Sequence, residues 1–287
     1  MVRATFEEAS GVLGYDLWRL CTEGPAEELN ETERTQPAML VAGIATWRVW
    51  EQRQGMSPAI VTGHSLGEFT ALVAAGAIDF RQCVELVRFR GRAMQEAVPK
   101  GTGAMAALLG LDDSEVEAAC AEAAQGSVVE AVNFNSPGQV VIAGEKAAVL
   151  RAIEAAKARG AKRAIELPVS VPSHSSLMTP AGARLGERLA STEIRTPRIR
   201  YLSAVDAAEH SDPDEIRRLL VRQLSSPVRW TQTVMALSSG GATCIVECGP
   251  GGVLSGLVKR IEKGRDTKVF ALDNLESLET ALAAVAA

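Results

Sequence analysis

The segment Gly63-His64-Ser65-Leu66-Gly67 constrains the fold more than any other feature of the sequence. A short apolar stretch at 59–62 precedes it, and an apolar helical pattern follows to about Ala75. A serine between two glycines, where a strand runs into a helix, is typical of a sharp turn that presents the serine hydroxyl at the head of the helix. The alternative is an ordinary Gly-Ser turn without chemistry, since three small residues at this spacing also occur by chance.

Helical and strand-like segments alternate through most of the chain, which favours a layered α/β fold. We predict a helix over 37–53, with Pro37 in its first turn, and a second helix over 79–97. Residues 102–170 follow the order strand, helix, strand, strand, helix, strand, with Asp113 capping the first helix. That order is typical of a ferredoxin-like unit, and we interpret it as a small inserted domain.

Composition excludes several classes of protein. A net charge of −5 over 287 residues gives no basic excess for binding nucleic acid. Five cysteines without a CxxC pair predict reduced thiols in the cytoplasm and no metal site. The first ten residues lack the features of a signal peptide, and no apolar run approaches the length of a membrane span.

A serine hydroxyl needs a base within hydrogen-bond reach, and the chain has three histidines. His64 is adjacent to the serine, so its side chain should leave the turn in another direction. His210 lies in a polar segment and is interpreted as a solvated surface residue. His174 follows a predicted strand and precedes a predicted helix, where functional residues collect in open α/β sheets. We therefore favour His174 as the base, the alternative being a helix-entry histidine bonded to local backbone.

Arg90 lies on the apolar stripe of the helix over 79–97. Its neighbours three and four positions away are all apolar: Leu86, Val87, Ala93 and Met94. A buried guanidinium is costly without a partner. Either a distant acid satisfies Arg90, or it faces a cleft and binds a carboxylate ligand through two parallel hydrogen bonds. The second option predicts a dicarboxylic acyl group.

Six blocks of sequence resemble, in the same order, those of the bacterial malonyl-coenzyme A:acyl carrier protein transacylases, a family of acyltransferases. The resemblance covers nearly the whole chain and rests on GHSLGEFTALVAAGAIDF, RGRAMQEAVPKGTGAMAA, NFNSPGQVVIAGE, PVSVPSHSSLM, VRQLSSPVRW and ECGPGGVLSGLVKRI. It implies an α/β-hydrolase-like parallel-sheet core over 1–100 and 171–287, with the ferredoxin-like subdomain inserted at 101–170.

The resemblance also implies a site and a reaction. Ser65 would be the nucleophile, His174 the base and Arg90 the clamp on the malonyl carboxylate. The backbone carbonyl of Gln223 would orient His174, and the backbone N–H of Leu66 would be an oxyanion donor. The implied reaction moves a malonyl group from malonyl-CoA to acyl carrier protein in fatty-acid biosynthesis, with no cofactor.

The beginning of the chain departs from the family pattern. Family members begin with a strand that ends in a PGQGSQ-like loop, whose glutamine helps to form the oxyanion hole. Here ATFEEASGVLGYDLW already resembles a segment downstream of that loop. We therefore expect roughly the first 27 family residues to be missing, within the usual boundary error. A start codon placed too late is favoured over a natural short form.

Two surface features are candidates for contacts with the substrates. The basic cluster of Lys259, Arg260, Lys263 and Arg265 suits an acidic carrier, although a solvated helix end is the favoured explanation for it. The turn at 249–252 offers N–H groups to a phosphate or is a plain tight turn.

Two rival functions stay open: a serine hydrolase or thioesterase, which needs an acid beside His174, and an inactive homologue that only binds a partner.

Overall fold

The computed structural model describes residues 1–169 and 171–286, and helices account for most of them. The helices are α1 (Val2–Leu13), α2 (Leu17–Glu23), α3 (Ala26–Leu29), α4 (Thr32–Gln52), α5 (Gly67–Ala74), α6 (Phe80–Glu96), α7 (Asp113–Ala124), α8 (Lys146–Ala158), α9 (Thr179–Ala190), α10 (Pro213–Arg222), α11 (Trp230–Ser239), α12 (Val253–Ile261) and α13 (Leu275–Ala286). Short 3₁₀ helices cover Ser176–Met178 and Gln223–Ser225.

The strands form three sheets. They are β1 (Ile60–Val61), β2 (Gly103–Leu109), β3 (Val129–Ser136), β4 (Gln139–Glu145), β5 (Arg163–Glu166), β6 (Arg200–Ser203), β7 (Ala208–His210), β8 (Cys244–Glu247) and β9 (Lys268–Ala271). β1 pairs in parallel with β6, and β7 lies antiparallel to β6. β8 and β9 form a separate parallel pair. Parallel and antiparallel pairing together define an α/β fold with mixed sheets.

The largest apolar core lies where α4, α5 and α6 pack together. Leu40 and Ile44 of α4, Leu72 of α5 and Leu86 and Val87 of α6 are all buried in it. The spacing of these residues within each helix places them on one face, which is the physical basis of the stripe seen in the sequence. This packing fixes the positions of α5 and α6, the two helices that carry Ser65's turn and Arg90.

Residues 103–166 build a second sheet with its own core. Its strand order is β3-β4-β2-β5, and every neighbouring pair is antiparallel. Leu108 and Ile142 on one face pack with Val116 of α7 and Ala152 of α8. β3 connects this sheet to the remainder of the chain, because the Phe134 N–H donates to the Val228 carbonyl at 3.0 Å.

Three local predictions were wrong. The helix predicted at 37 begins at Thr32, so Pro37 lies inside α4, where it has no N–H to donate to the carbonyl four residues earlier. The residues before Pro37 are polar, so the apolar pattern of the sequence did not reveal the first turn of α4. Asp113 is the first residue of α7 and not its cap, since Asp112 occupies the N-cap position. An acidic side chain in the first turn is favourable in either place.

The third wrong prediction concerns His210, which is not a solvated surface residue. It ends β7 opposite Tyr201, and only 9% of its side chain is exposed. Its ring nitrogens contact Asp206 at 3.1 Å and Glu215 at 3.3 Å. Both acids lie within five positions of His210, yet the sequence could not indicate that a short strand turns the ring toward them.

The predicted strand ends also differ by a few residues. β5 ends at Glu166, four residues before the predicted end of the inserted unit at Ser170, and Ser170 lies outside the described residues. Within the described part of the chain, no helix combines the length and the apolar character needed to cross a membrane.

Candidate active site

Ser65 lies on a strained turn between β1 and α5. It has a φ of 52°, which is a left-handed conformation that non-glycine residues seldom adopt. The turn is closed by the Gly67 N–H, which donates to the His64 carbonyl at 2.9 Å, and by the Glu68 N–H, which donates to the Ser65 carbonyl at 3.1 Å. The predicted strand-turn-helix setting is therefore present.

The two glycines of this turn have different roles. A Cβ at Gly63 would lie 1.9 Å from the carbonyl carbon of Gly67, so no side chain fits there. A Cβ at Gly67 meets no described atom within 4 Å. The close approach of the strand to the helix thus requires only the first glycine, which refines the interpretation of the motif.

His174 reaches Ser65 from the far side of the site. Its Nε2 lies 2.8 Å from the Ser65 Oγ, and its Nδ1 lies 2.8 Å from the backbone carbonyl oxygen of Gln223. A carbonyl only accepts hydrogen bonds, so Nδ1 carries the proton and Nε2 is left as an acceptor for the serine hydroxyl. His174 also has a positive φ of 68°, which marks a second strained residue in the site.

Burial keeps the His174 imidazole neutral. The side chain is almost fully buried, and this desolvation, reinforced by the positive charge of Arg90, lowers the pKa of His174 to about 3. A neutral imidazole hydrogen-bonded to a hydroxyl is the arrangement in which histidine takes up the hydroxyl proton. Of the residues described, Ser65 is the hydroxyl group that Nε2 contacts.

Arg90 is 1% exposed and points into the same site from α6. Its guanidinium donates to the Gln36 Oε1 at 2.8 Å, to the Gln223 Oε1 at 2.9 Å and to the Ser65 Oγ at 3.2 Å. No carboxylate lies within ion-pair distance of Arg90 among residues 1–169 and 171–286, and its Nε has no hydrogen-bond partner there either. Desolvation lowers the pKa of Arg90 to about 10, so it stays charged at neutral pH.

The sequence analysis missed two residues around Arg90, Gln36 and Glu68, and the role of the Gln223 side chain. Gln36 lies on α4, and Gln223 was expected to contribute only its backbone carbonyl. The Gln223 Nε2 donates to the Ser65 carbonyl at 3.0 Å and to the Glu68 Oε1 at 2.9 Å. The signal for Glu68 was present, because it is a single acid within the apolar run that follows Gly67.

His64 takes no part in the contacts of Ser65. Its Nε2 lies 2.9 Å from the Asn135 Oδ1, and its ring packs edge-on against Trp230. Desolvation lowers the pKa of His64 as well. The expectation that its side chain leaves the turn in another direction agrees with this arrangement.

The turn at 249–252 is a poor candidate for a phosphate site. The N–H groups of Leu254 and Ser255, at the start of α12, donate to the Glu247 carboxylate at 3.1 Å and 2.6 Å. A carboxylate already occupies the position that an anionic ligand needs. Of the predicted basic cluster, Lys259, Arg260, Lys263 and Arg265 are exposed, but Arg260 contacts Gln139 and Arg265 pairs with Glu262.

A comparison with known proteins identifies the class of protein to which this fold and site belong. Residues 3–272 match the model of the acyl transferase domain family. A malonyl CoA-acyl carrier protein transacylase from Escherichia coli K12 is 57% identical over 261 residues, which span 91% of this chain and 84% of that relative. The Bacillus subtilis protein of the same name is 43% identical over 278 residues, covering 96% and 87% of the two chains.

Two solved structures of similar proteins superpose closely on this chain. An acyl carrier protein S-malonyltransferase from Vibrio cholerae superposes with a TM-score of 0.94 at 54% identity, covering 97% of this chain and 90% of that one. A malonyl-transacylase in complex with a type II PKS acyl-carrier protein has a TM-score of 0.96 at 53% identity, covering 99% and 91%. The chain belongs to the acyl transferase domain family.

Proposed function

We propose that this enzyme transfers a malonyl group from malonyl-CoA to the phosphopantetheine thiol of acyl carrier protein, in fatty-acid biosynthesis. The observation that carries the proposal is the convergence of two groups on one hydroxyl. The Ser65 Oγ lies 2.8 Å from the His174 Nε2 and 3.2 Å from the Arg90 guanidinium. A nucleophile, a base and a fixed positive charge are the groups that transfer of a dicarboxylic acyl group requires.

Ser65 and His174 carry out the covalent steps. His174 takes the proton of Ser65 as the hydroxyl oxygen attacks the thioester carbonyl carbon, and the coenzyme A thiolate leaves with that proton. The carrier's thiol then attacks the malonyl-serine ester, while His174 removes the thiol proton and returns it to Ser65. Serine and imidazole supply the whole of this chemistry, so the proposal includes no cofactor.

Two backbone groups assist these steps. The Gln223 carbonyl holds His174 in the tautomer that leaves Nε2 free, which is the role that Asp or Glu has in hydrolases. The Leu66 N–H, at the N-cap of α5, makes no hydrogen bond within residues 1–169 and 171–286. It is available to stabilise the oxyanion of the tetrahedral intermediate.

Arg90 selects the acyl group. Its partners Gln36 and Gln223 are neutral amides, so its charge is left for the free carboxylate of the malonyl group. A guanidinium binds a carboxylate through two parallel hydrogen bonds, which an acetyl group cannot provide.

The exposed cluster of Lys259, Arg260, Lys263 and Arg265 suits the acidic carrier. The free thiols of all five cysteines suit the cytoplasm.

We further propose two structural units, a core of 1–100 and 171–287 and an insert of 101–170. The separate apolar clusters of the two regions support this division. The antiparallel order β3-β4-β2-β5, with α7 and α8 packed on it, supports a ferredoxin-like insert. The parallel pairing of β1 with β6 and the serine turn between β1 and α5 support an α/β-hydrolase-like core.

Covalent labelling tests the proposed reaction. After brief incubation with malonyl-CoA, intact-mass spectrometry is expected to detect one malonyl adduct, located at Ser65 and absent from Ser65→Ala. His174→Ala is expected to slow both acylation and transfer to the carrier. An adduct that persists in Ser65→Ala, or an adduct that water removes as fast as the carrier does, would contradict the proposal, the second result in favour of a hydrolase.

A further inference from the structure

Glu68 is a buried acid directly beneath the serine turn. It lies three residues after Ser65 on α5 and is 1% exposed. Its Oε2 accepts hydrogen bonds from the Tyr201 hydroxyl and from the Ser203 Oγ, the latter at 2.9 Å. Its Oε1 accepts from the Gln223 Nε2 at 2.9 Å. Burying a carboxylate is costly, and burial raises the pKa of Glu68. The three hydrogen-bond donors around the carboxylate offset part of this cost.

The Gln223 amide lies between two groups that each permit only one orientation. A carboxylate oxygen accepts hydrogen bonds and a guanidinium only donates them. Glu68, together with the Ser65 backbone carbonyl at 3.0 Å, therefore fixes the Nε2 end of the Gln223 amide, and the Oε1 end is turned toward Arg90. Rotating the amide by half a turn would set an NH₂ group against the guanidinium and an oxygen against the carboxylate.

The other amide that contacts Arg90 is held less firmly. The Gln36 Oε1 accepts from the guanidinium, but the Gln36 Nε2 contacts the Met94 Sδ at 3.3 Å. A thioether sulfur is a weak acceptor and does not select one amide orientation strongly. The position of the guanidinium thus depends mainly on Gln223, whose own orientation is set by the Glu68 carboxylate and the Ser65 carbonyl.

We propose that Glu68 is a positioning residue for acyl selection, which orients the Gln223 side-chain amide and through it the Arg90 guanidinium. The inference rests on the proposed malonyl transfer and extends it to a residue that does not touch the substrate. The negative charge of Glu68 also favours the charged form of the buried Arg90. It acts from behind a neutral amide and outside ion-pair distance, so it does not compete with the malonyl carboxylate for the guanidinium.

The test compares malonyl and acetyl transfer in Glu68→Gln, which keeps the shape of the side chain and removes the acceptor-only constraint. A hydrogen bond to a charged group contributes enough that its loss changes affinity by about tenfold or more. We expect the KM for malonyl-CoA to rise by about tenfold, with the kcat for malonyl and the slow acetyl reaction changed less than about twofold.

Ser203→Ala is the matched control. It removes a donor to the same buried carboxylate without touching Gln223, so we expect it to lower thermal stability and leave the ratio of malonyl to acetyl transfer unchanged. Glu68→Asp keeps the carboxylate on a side chain that is one methylene shorter. We expect this variant to lose part of the selectivity for malonyl transfer. A double-mutant cycle of Glu68→Gln with Gln223→Met should be non-additive, because both changes break one chain of contacts.

A binding measurement separates positioning from turnover. In the Ser65→Ala background, calorimetry should find malonyl-CoA binding weakened by about tenfold on adding Glu68→Gln, with acetyl-CoA binding unchanged. Equal losses for both thioesters, an unchanged ratio, or a Ser203→Ala effect of the same size would overturn the inference. Absence of malonyl transfer in the wild-type protein would instead overturn the proposed function.

Discussion

Arg90 in the active site and Arg159 at the end of α8 show two ways in which this chain accommodates a guanidinium. Arg159 is partly exposed, and its two terminal nitrogens pair with Glu115 at 3.0 Å and Glu122 at 2.8 Å. Arg90 is buried, and its partners are two amides and a hydroxyl. The cation that most needs a counter-ion is therefore the one without a carboxylate within ion-pair distance among the described residues.

The difference separates structural charges from functional ones. An exposed pair such as Arg159 with Glu115 gains little, because water screens it and both side chains lose freedom. A buried guanidinium with neutral partners keeps a large unsatisfied attraction for an anion. Amides satisfy some of its hydrogen bonds without cancelling its charge, so the charge is available to a carboxylate ligand. The following experiments change one side of this comparison at a time.

Removing the buried charge should have the largest effect. Arg90→Ala is expected to lower malonyl transfer by about 10²-fold or more, because breaking a buried charge pair costs a few kcal/mol. Acetyl transfer should stay unchanged or improve, and Arg90→Lys should recover only part of the loss, since an ammonium cannot form two parallel hydrogen bonds. Initial rates with both thioesters are the measurement; equal losses on both would make Arg90 a structural residue.

Giving Arg90 a carboxylate partner should make it resemble Arg159. In Gln36→Glu, the new carboxylate would occupy the position of the Gln36 amide, 2.8 Å from the guanidinium. We expect the KM for malonyl-CoA to rise by about tenfold or more as the charge is neutralised internally. Gln36→Met, which removes the hydrogen bond and adds no charge, is the control and should have the smaller effect. The opposite ranking would contradict the role assigned to the free charge.

The buried His174 should make stability depend on pH in a defined direction. Burial lowers its pKa to about 3 in the folded protein, well below the value of an unfolded histidine. The unfolded state therefore binds the extra proton first, and the stability due to neutral His174 is lost as pH falls below about 6.5. From pH 7.5 to pH 5.5, the free energy of unfolding of wild type should fall by about 1 kcal/mol more than that of His174→Gln. Urea unfolding at both pH values is the measurement. An identical loss in both proteins would mean that His174 titrates normally.

The surface pair should give the smallest effect. Arg159→Ala is expected to change the free energy of unfolding by less than about 1 kcal/mol and to leave malonyl and acetyl transfer unchanged. Urea unfolding together with the two transfer rates checks both statements. A loss of selectivity here would show that selectivity does not depend on charges in the site alone, and it would remove the distinction between the two arginines.

Local sequence was sufficient for the groups that lie on regular patterns. The turn that carries Ser65 followed from two glycines between a strand and a helix, and the inward direction of Arg90 followed from its place on an apolar stripe. Elimination among three histidines led to His174, whose ring the structure brings within 2.8 Å of Ser65. The same local reasoning was wrong for His210 and Pro37, where a short strand and a polar first turn left no apolar period to detect.

The sequence by itself thus determined which groups on regular apolar patterns face the interior, while the tertiary structure alone decided which groups meet. Arg90 contacts Gln36 from 54 positions away and Gln223 from 133, and Gln223 reaches Glu68 across 155. Helical and strand periods report which face of an element is buried, and they carry no information about the element packed against it. Gln223 is a single residue whose backbone holds His174 and whose side chain holds Arg90, a coincidence that depends on the packing of α5, α6 and the 3₁₀ helix at Gln223–Ser225.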